Sequence, residues 1–166
     1  MYSVKEFTEE ELKWTKPFDK SETIVFVSDK NEFDTIVFKK STLSDETVND
    51  LERGFYKSNY LVVPYEFSKG SFHQFDFDGN TPSEQYLITI EKSSAGFGGL
   101  GINFFGLLVD QDDIKNASKM DTKTYRFNKE NLSRFNTAND ISYFTFNTDI
   151  GIVNYTDGRN VKWARK

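Results

Sequence analysis

The residues best suited to chemistry in this chain are its carboxylates. Asp76, Asp78 and Asn80, with Glu84 downstream, place oxygen ligands at alternating positions. That pattern suits calcium, which takes roughly six to eight hard oxygens. The glycine spacing of an EF-hand loop is missing, and Asp78-Gly79 also reads as a plain hairpin turn. Asp110, Asp112 and Asp113 form a second acidic loop with a weaker claim on calcium. His73 is the only histidine, so a multi-histidine metal site is excluded. It lies near Phe72 and Phe75, and no spacing identifies a partner that would make it a general base. A carboxylate pair for glycoside hydrolysis could be drawn from 26 acidic residues, but the spacing singles out none.

Gly96-Phe97-Gly98-Gly99-Leu100-Gly101 contains the Gly-x-Gly-x-x-Gly pattern of dinucleotide loops. Such a loop must open a helix whose N-terminus meets the pyrophosphate. Here Ile102-Asn103-Phe104-Phe105 follows, which reads as strand, so the glycines are expected to form a turn. No Gly-x-Ser-x-Gly elbow, Ser-x-x-Lys or Walker A sequence is present. Aromatic rings can stack on sugars or bases. Tyr60, Tyr65, Phe75 and Tyr86 are the candidates for ligand contact, although a Phe-rich core explains most aromatic residues without a ligand.

Composition narrows the field. The chain has 166 residues, 21 Lys and Arg against 26 Asp and Glu, and a net charge of -5. No cysteine is present, which excludes a thiol nucleophile, a cysteine zinc site, an iron–sulfur cluster and a disulfide scaffold within these residues. Net acidity argues against a nucleic-acid partner, which needs clustered Lys and Arg. The 17 Phe and 8 Tyr can fill a core with few side chains, and they favour sheet.

The elements that must position these groups follow from period and punctuation. Thr8-Glu9-Glu10-Glu11 is a capping box opening a short helix over 9–15, which Pro17 ends. From Glu22 the period is two. Thr23-Ile24-Val25-Phe26 recurs as Thr35-Ile36-Val37-Phe38, and Ser28-Asp29-Lys30-Asn31-Glu32 between the copies predicts a hairpin. Residues 40–52 are polar and predict a loop or a short helix from Ser44. Further strands are expected over 59–67, 71–77, 84–92, 101–109, 122–127, 141–147, 151–155 and 161–164, with Asp157-Gly158 as the last turn. The expected fold is mainly β: one domain over 1–166, with 1–18 as helical lead-in. About nine or ten strands form an antiparallel meander that closes as a sandwich or barrel.

Several segments together resemble a family of small, uncharacterised lipoproteins of Bacteroidota. The resemblance is carried by Thr8-Glu9-Glu10-Glu11-Leu12-Lys13-Trp14, by Pro17-Phe18 through Phe26, and by Phe33-Asp34-Thr35-Ile36-Val37. At the other end it is carried by Gly151-Ile152-Val153-Asn154-Tyr155, Asp157-Gly158 and Trp163. It covers the two ends and leaves the middle unassigned. It implies export to the periplasm or outer membrane and a lipid anchor on a cysteine upstream of these residues. Without such a leader the expectation becomes a cytoplasmic protein; Met1 is followed by a polar, acidic stretch rather than a signal peptide. Asp34-Thr35-Ile36 also resembles the short O-glycosylation acceptor of that phylum.

The functional expectation is a non-enzymatic, exported β-rich protein that binds a partner or small ligand at the cell envelope. It touches the membrane only through an anchor outside this chain. One alternative is an immunity or inhibitor protein that neutralises a toxin, since an acidic surface speeds association with a basic one. The other is a carboxylate-dependent hydrolase. No cofactor is expected beyond calcium.

Overall fold

A computed structural model describes residues 4–73, 85–133 and 141–166. The repeated Thr-Ile-Val-Phe segments form the expected hairpin. β1 (Glu22–Ser28) pairs antiparallel with β2 (Phe33–Phe38), with Ile24 opposite Ile36. Alternation sends Ile24, Phe26, Asp34, Ile36 and Phe38 inward, so each copy of the repeat lays one row on the core. The turn is built by Ser28, whose Oγ accepts the N–H groups of Lys30 and Glu32, and by Asn31 at φ 59°. Asparagine tolerates that left-handed conformation better than most residues.

Residues 42–50 form a strand, not a loop or helix. β3 (Thr42–Asp50) pairs with the first nine residues of β4 (Gly54–Phe67), running from Thr42 opposite Val62 to Asp50 opposite Gly54. It carries no apolar alternation because it is exposed along most of its length, so no buried face writes a period-two pattern into it. β4 continues to pair with β5 (Gln85–Ser93) along much of its length and with β2 at its end.

The 101–109 segment is two strands. β6 (Gly98–Phe104) and β7 (Leu107–Val109) are joined by Phe105 and Gly106, at φ 45° and 88°. Two successive positive-φ residues make the tight turn that matches strand twist. The glycine run therefore enters the sheet: a Cβ on Gly98 would lie 2.3 Å from the Glu91 carbonyl oxygen. The rest comprises β8 (Ser118–Lys119), β9 (Thr124–Asn128), β10 (Tyr143–Asn147), β11 (Gly151–Thr156) and β12 (Lys162–Arg165).

All pairs are antiparallel, in the order β7-β6-β5-β4-β2-β1-β12-β11-β10-β9-β8, with β3 beside β4 off this path. The twelve strands among the described residues curl into a half-barrel rather than a closed barrel or a sandwich, and they outnumber the nine or ten expected. The chain ends meet in the middle of the sheet, where β1 pairs with β12. The short helix α2 (Gln111–Lys115) links β7 to β8, the two ends of the path. No helix among the described residues is long and apolar enough to cross a membrane.

The concave face holds the aromatic core, and the N-terminal segment fills its mouth. α1 spans only Glu9–Leu12, with the Thr8/Glu11 capping box formed at both bonds. The helix is a single turn because Trp14 and Phe18 must both enter the core. Trp14 packs on Tyr125 and Phe146 with ring centroids 4.7 and 5.2 Å apart. Pro17 does not simply stop a helix. It sits in the first turn of a 3-10 helix over Lys16–Phe18, where its missing N–H costs nothing. Phe18 reaches Gly151 so closely that a Cβ there would lie 2.9 Å from its ring. Glu11 pairs with Lys92 of β5 at 2.6 Å.

Candidate functional site

The densest set of chemically capable groups is built around Asp34. Its place in β2 follows from the strand period: it shares the inward row with Ile36 and Phe38, and it is fully buried. A buried carboxylate must be hydrogen-bonded or paired to be tolerated. Its oxygens accept the His73 backbone N–H at 2.8 Å, the Tyr155 hydroxyl, and a contact from His73 Nδ1 at 2.6 Å. The other ring nitrogen, Nε2, faces Asp157 Oδ2 at 3.2 Å.

Asp157 is the hub of the second half. Its Oδ1 accepts the backbone N–H groups of Arg159 and Val161. Its Oδ2 accepts from Arg159 Nε and Nη2 at 3.1 and 2.8 Å and from the Trp163 indole N–H at 3.2 Å. Arg159 then forks onto both oxygens of Glu32 at 3.2 and 2.9 Å, and it lies 3.9 Å over the ring of Phe72. One chain of contacts thus runs Tyr155–Asp34–His73–Asp157–Arg159–Glu32, from the core to the surface.

Electrostatics follow from these contacts. Burial alone would raise the Asp157 carboxyl, but the Arg159 guanidinium, two backbone N–H groups and the Trp163 indole outweigh it and hold the carboxyl below its ordinary range. Arg159 holds Glu32 low in the same way, and the two carboxylates raise Arg159. Burial and the neighbouring Asp34 charge push the Tyr155 hydroxyl well above its ordinary value, so it remains a donor.

A His–Asp pair is two-thirds of a nucleophilic triad, which needs the second imidazole nitrogen free to meet a nucleophile. In this chain that nitrogen faces Asp157. The nearby Ser71 hydroxyl accepts the Thr35 N–H and donates to the Thr35 carbonyl. The side chains of His73, Asp34 and Asp157 are 11%, 0% and 3% exposed. The arrangement is a cross-brace that pins the segment after β4 to β2, β11 and β12. Phe105 adds to it: its positive φ is an uncommon conformation for an aromatic residue, held by a bond from its N–H to Tyr65 Oη at 2.7 Å and by the ring of His73 at 5.1 Å. Asp34-Thr35-Ile36 is accordingly committed to the interior at its aspartate.

The other candidate residues scatter. Tyr65 is 2% exposed and belongs to the core. The Tyr60 hydroxyl donates to Glu91 Oε1 at 3.1 Å, which also accepts from Ser58 at 2.9 Å. Tyr86 is exposed, beside an open groove of about 370 Å³ over β5–β7 whose walls include Thr89, Gly101, Asn103 and Leu108. Phe75 and the proposed calcium ligands Asp76, Asp78, Asn80 and Glu84 lie outside the described residues. So does most of the strand expected over 71–77; Ser71–His73 itself is not strand. Among the described residues no group of three or more His, Asp or Glu is arranged to hold a metal ion. Asp110 and Asp113 are engaged in capping α2: Asp110 accepts the N–H groups of Asp112 and Asp113, and Asp113 accepts that of Asp110.

Sequence reasoning missed that His73 has two partners, because both lie far away in the chain. The one legible signal was Asp34 itself, a charge in an inward position of an apolar strand. It also missed an exposed apolar surface among the described residues. The β3–β4 hairpin exposes Leu43, Leu51 and Phe55 at 66%, 104% and 74%. Its tip is ordered: Asp50 Oδ1 accepts the N–H groups of Glu52 and Arg53, and Arg53 lies 4.7 Å over Phe97, which meets Tyr56 edge-on. Compared with protein-family models, curated proteins and solved structures, the chain matches none.

Proposed function

We propose that this chain is a non-enzymatic binding protein of the cell envelope that engages a protein partner through the β3–β4 hairpin. The observation that carries the reading is the pair of large apolar side chains at the ordered tip of that hairpin, Leu51 and Phe55, both exposed to solvent, with Leu43 exposed farther along β3. Contiguous exposed apolar groups on a rigid element mark interaction surfaces. Export, and a lipid anchor upstream of the domain, are supported by the resemblance of the two ends to the lipoprotein family. Mass spectrometry of the native protein tests that part; an unprocessed cytoplasmic product overturns it.

A photo-cross-linking residue at Leu51, compared with one at the exposed Lys30 on the opposite hairpin turn, tests the surface. The expected result in the native cell is one discrete adduct from position 51 and none from 30. Leu51→Asp with Phe55→Asp should abolish the adduct at its neighbour Glu52 while changing stability by no more than about 0.5 kcal/mol per site, as for other surface substitutions. Equal labelling from both positions, or none, overturns the reading. The acidic side chains of β3 favour one second reading, an inhibitor or immunity protein covering a basic enzyme face. Rescue on co-expression with a toxin encoded next to it would support this, and failure to rescue would remove it.

A further inference from the structure

We propose that the free edge of β3 is a docking edge for an extended, cationic strand supplied by a protein partner. The inference rests on the partner-binding reading above and specifies how that partner is held.

Three observations point to it. First, the edge is long and open. The two ends of the sheet path are blunted, with β7 three residues long and β8 two. β3 is nine residues long, pairs only with β4, and makes no other backbone bond among the described residues. At about 3.3 Å per residue it offers roughly 30 Å of unpaired N–H and C=O groups, enough for a complete added strand. Second, the strand is already in register over its whole length, from Thr42 opposite Val62 to Asp50 opposite Gly54 without a bulge. Of the usual defences of an edge, β3 has neither a bulge nor a proline; its carboxylates guard it only against a like-charged strand.

Third, its charge selects the occupant. β3 carries Asp45, Glu46 and Asp50 and no basic residue. Asp45 and Glu46 have no ion-pair partner among the described residues. A second copy of the chain is a poor occupant. Antiparallel pairing of β3 with itself about Glu46 would set Glu46 directly against Glu46 and supply no cation to Asp45 or Asp50, and like charges directly opposite destabilise a sheet. A strand with Lys or Arg at those places turns the same charges into cross-strand pairs. Main-chain bonds then supply affinity and the alternate side chains supply specificity, the logic of strand addition.

The test uses the full chain and three synthetic peptides as long as β3. One, the Thr-Lys peptide, repeats Lys-Lys-Thr so that Lys falls on both faces, as Asp45 and Glu46 require; one, the Thr-Glu peptide, repeats Glu-Glu-Thr; and one is the Thr-Lys peptide with N-methyl groups on alternate amides along its pairing edge. The Thr-Lys peptide should slow hydrogen exchange of the β3 amides that face away from β4 and leave the β10–β11 amides unchanged. Its binding should weaken with added salt. The Asp45→Asn, Glu46→Gln double variant should weaken it about fivefold to tenfold, the size of two exposed charge pairs. The Thr-Glu and N-methylated peptides should not protect β3. Equal protection by the Thr-Glu or N-methylated peptide overturns the proposal, as does no protection by the Thr-Lys peptide. If position 51 still yields its adduct in that last case, the apolar tip alone holds the partner: the edge proposal falls and partner binding stands. Protection of β3 without any adduct has the opposite meaning: the edge chemistry holds and the functional reading falls.

Discussion

At the scale of single residues, the informative group is Asp157. It lies in the last turn, where Asp157-Gly158 correctly signalled a hairpin. The reason differed from the expected one: Asn160 takes the positive φ, at 64°, and Asp157 organises the loop through its carboxylate. That carboxylate also anchors His73, Arg159 and Trp163. Breaking a buried charged pair costs about 3–5 kcal/mol; the low end applies here, because Arg159 is partly exposed and keeps Glu32, and His73 keeps Asp34. Asp157→Asn should therefore lower the free energy of unfolding at pH 7 by about 3 kcal/mol, measured by urea denaturation; a loss under about 1 kcal/mol would show that the brace is dispensable. The same variant carries a pH signature. Asp157 is held below its ordinary value of 3.8 in the folded chain, so it stabilises the fold above that value. That contribution is lost as the pH falls through 3.8 toward the lower folded value. The parent should lose more stability than the variant between neutral pH and pH 3, and parallel thermal-denaturation curves would contradict this. None of it was legible as a site. A histidine's partners are visible in sequence only when spacing brings them close, and here the brace joins positions in β2, the segment after β4 and the last turn.

At the scale of elements, legibility tracked burial. Strands with one buried face, such as β1 and β2, announced themselves by alternation, and the Thr8/Glu11 box announced α1 through its capping residues. β3 escaped because solvent bathes most of it, so no core demanded a pattern. Residues 101–109 read as one strand because apolar residues flank the Phe105-Gly106 turn on both sides and nothing polar punctuates it. The Asp110, Asp112 and Asp113 group read as a ligand cluster because carboxylates that cap a helix and carboxylates that bind calcium have the same composition. The packing of the N-terminal element makes a sharp prediction. Gly151 has φ 81°, and its α-carbon faces the Phe18 ring with no room for a methyl group. Gly151→Ala adds backbone strain to a collision with a ring buried on all sides. It should cost more than about 1 kcal/mol and lower the melting temperature. Phe18→Leu in the same chain should recover part of that loss, and no recovery would place the cost in the backbone alone.

At the scale of the whole molecule, the aromatic count explained the core well. The prediction of a mainly antiparallel β fold holds, with more strands and a more open curl than expected. The openness traces to the middle of the chain. The sheet path ends in two very short strands that α2 connects without pairing them, while Trp14 and Phe18 fill the mouth. Closure depends on side chains from the N-terminal segment rather than on a final ladder of backbone bonds. Sequence pattern reports which residues face a core; it does not report whether the first and last strands of a curl meet, because that is fixed by accumulated twist and by what occupies the interior.

The pairing of β1 with β12 sets Phe26 opposite Arg165, one residue from the end of the chain. During synthesis β1 emerges early, and the neighbour on one of its sides emerges last. Contacts this distant in sequence are the slowest to form, so the sheet cannot be completed until β12 has been made. Until β12 arrives, the β1 edge stays open to premature pairing. Ending the chain before Lys162 should turn that interval into a permanent state: pulse proteolysis of the shortened chain should find no protected fraction, whereas a protected core of unchanged size would mean that the first eleven strands complete the fold without the last.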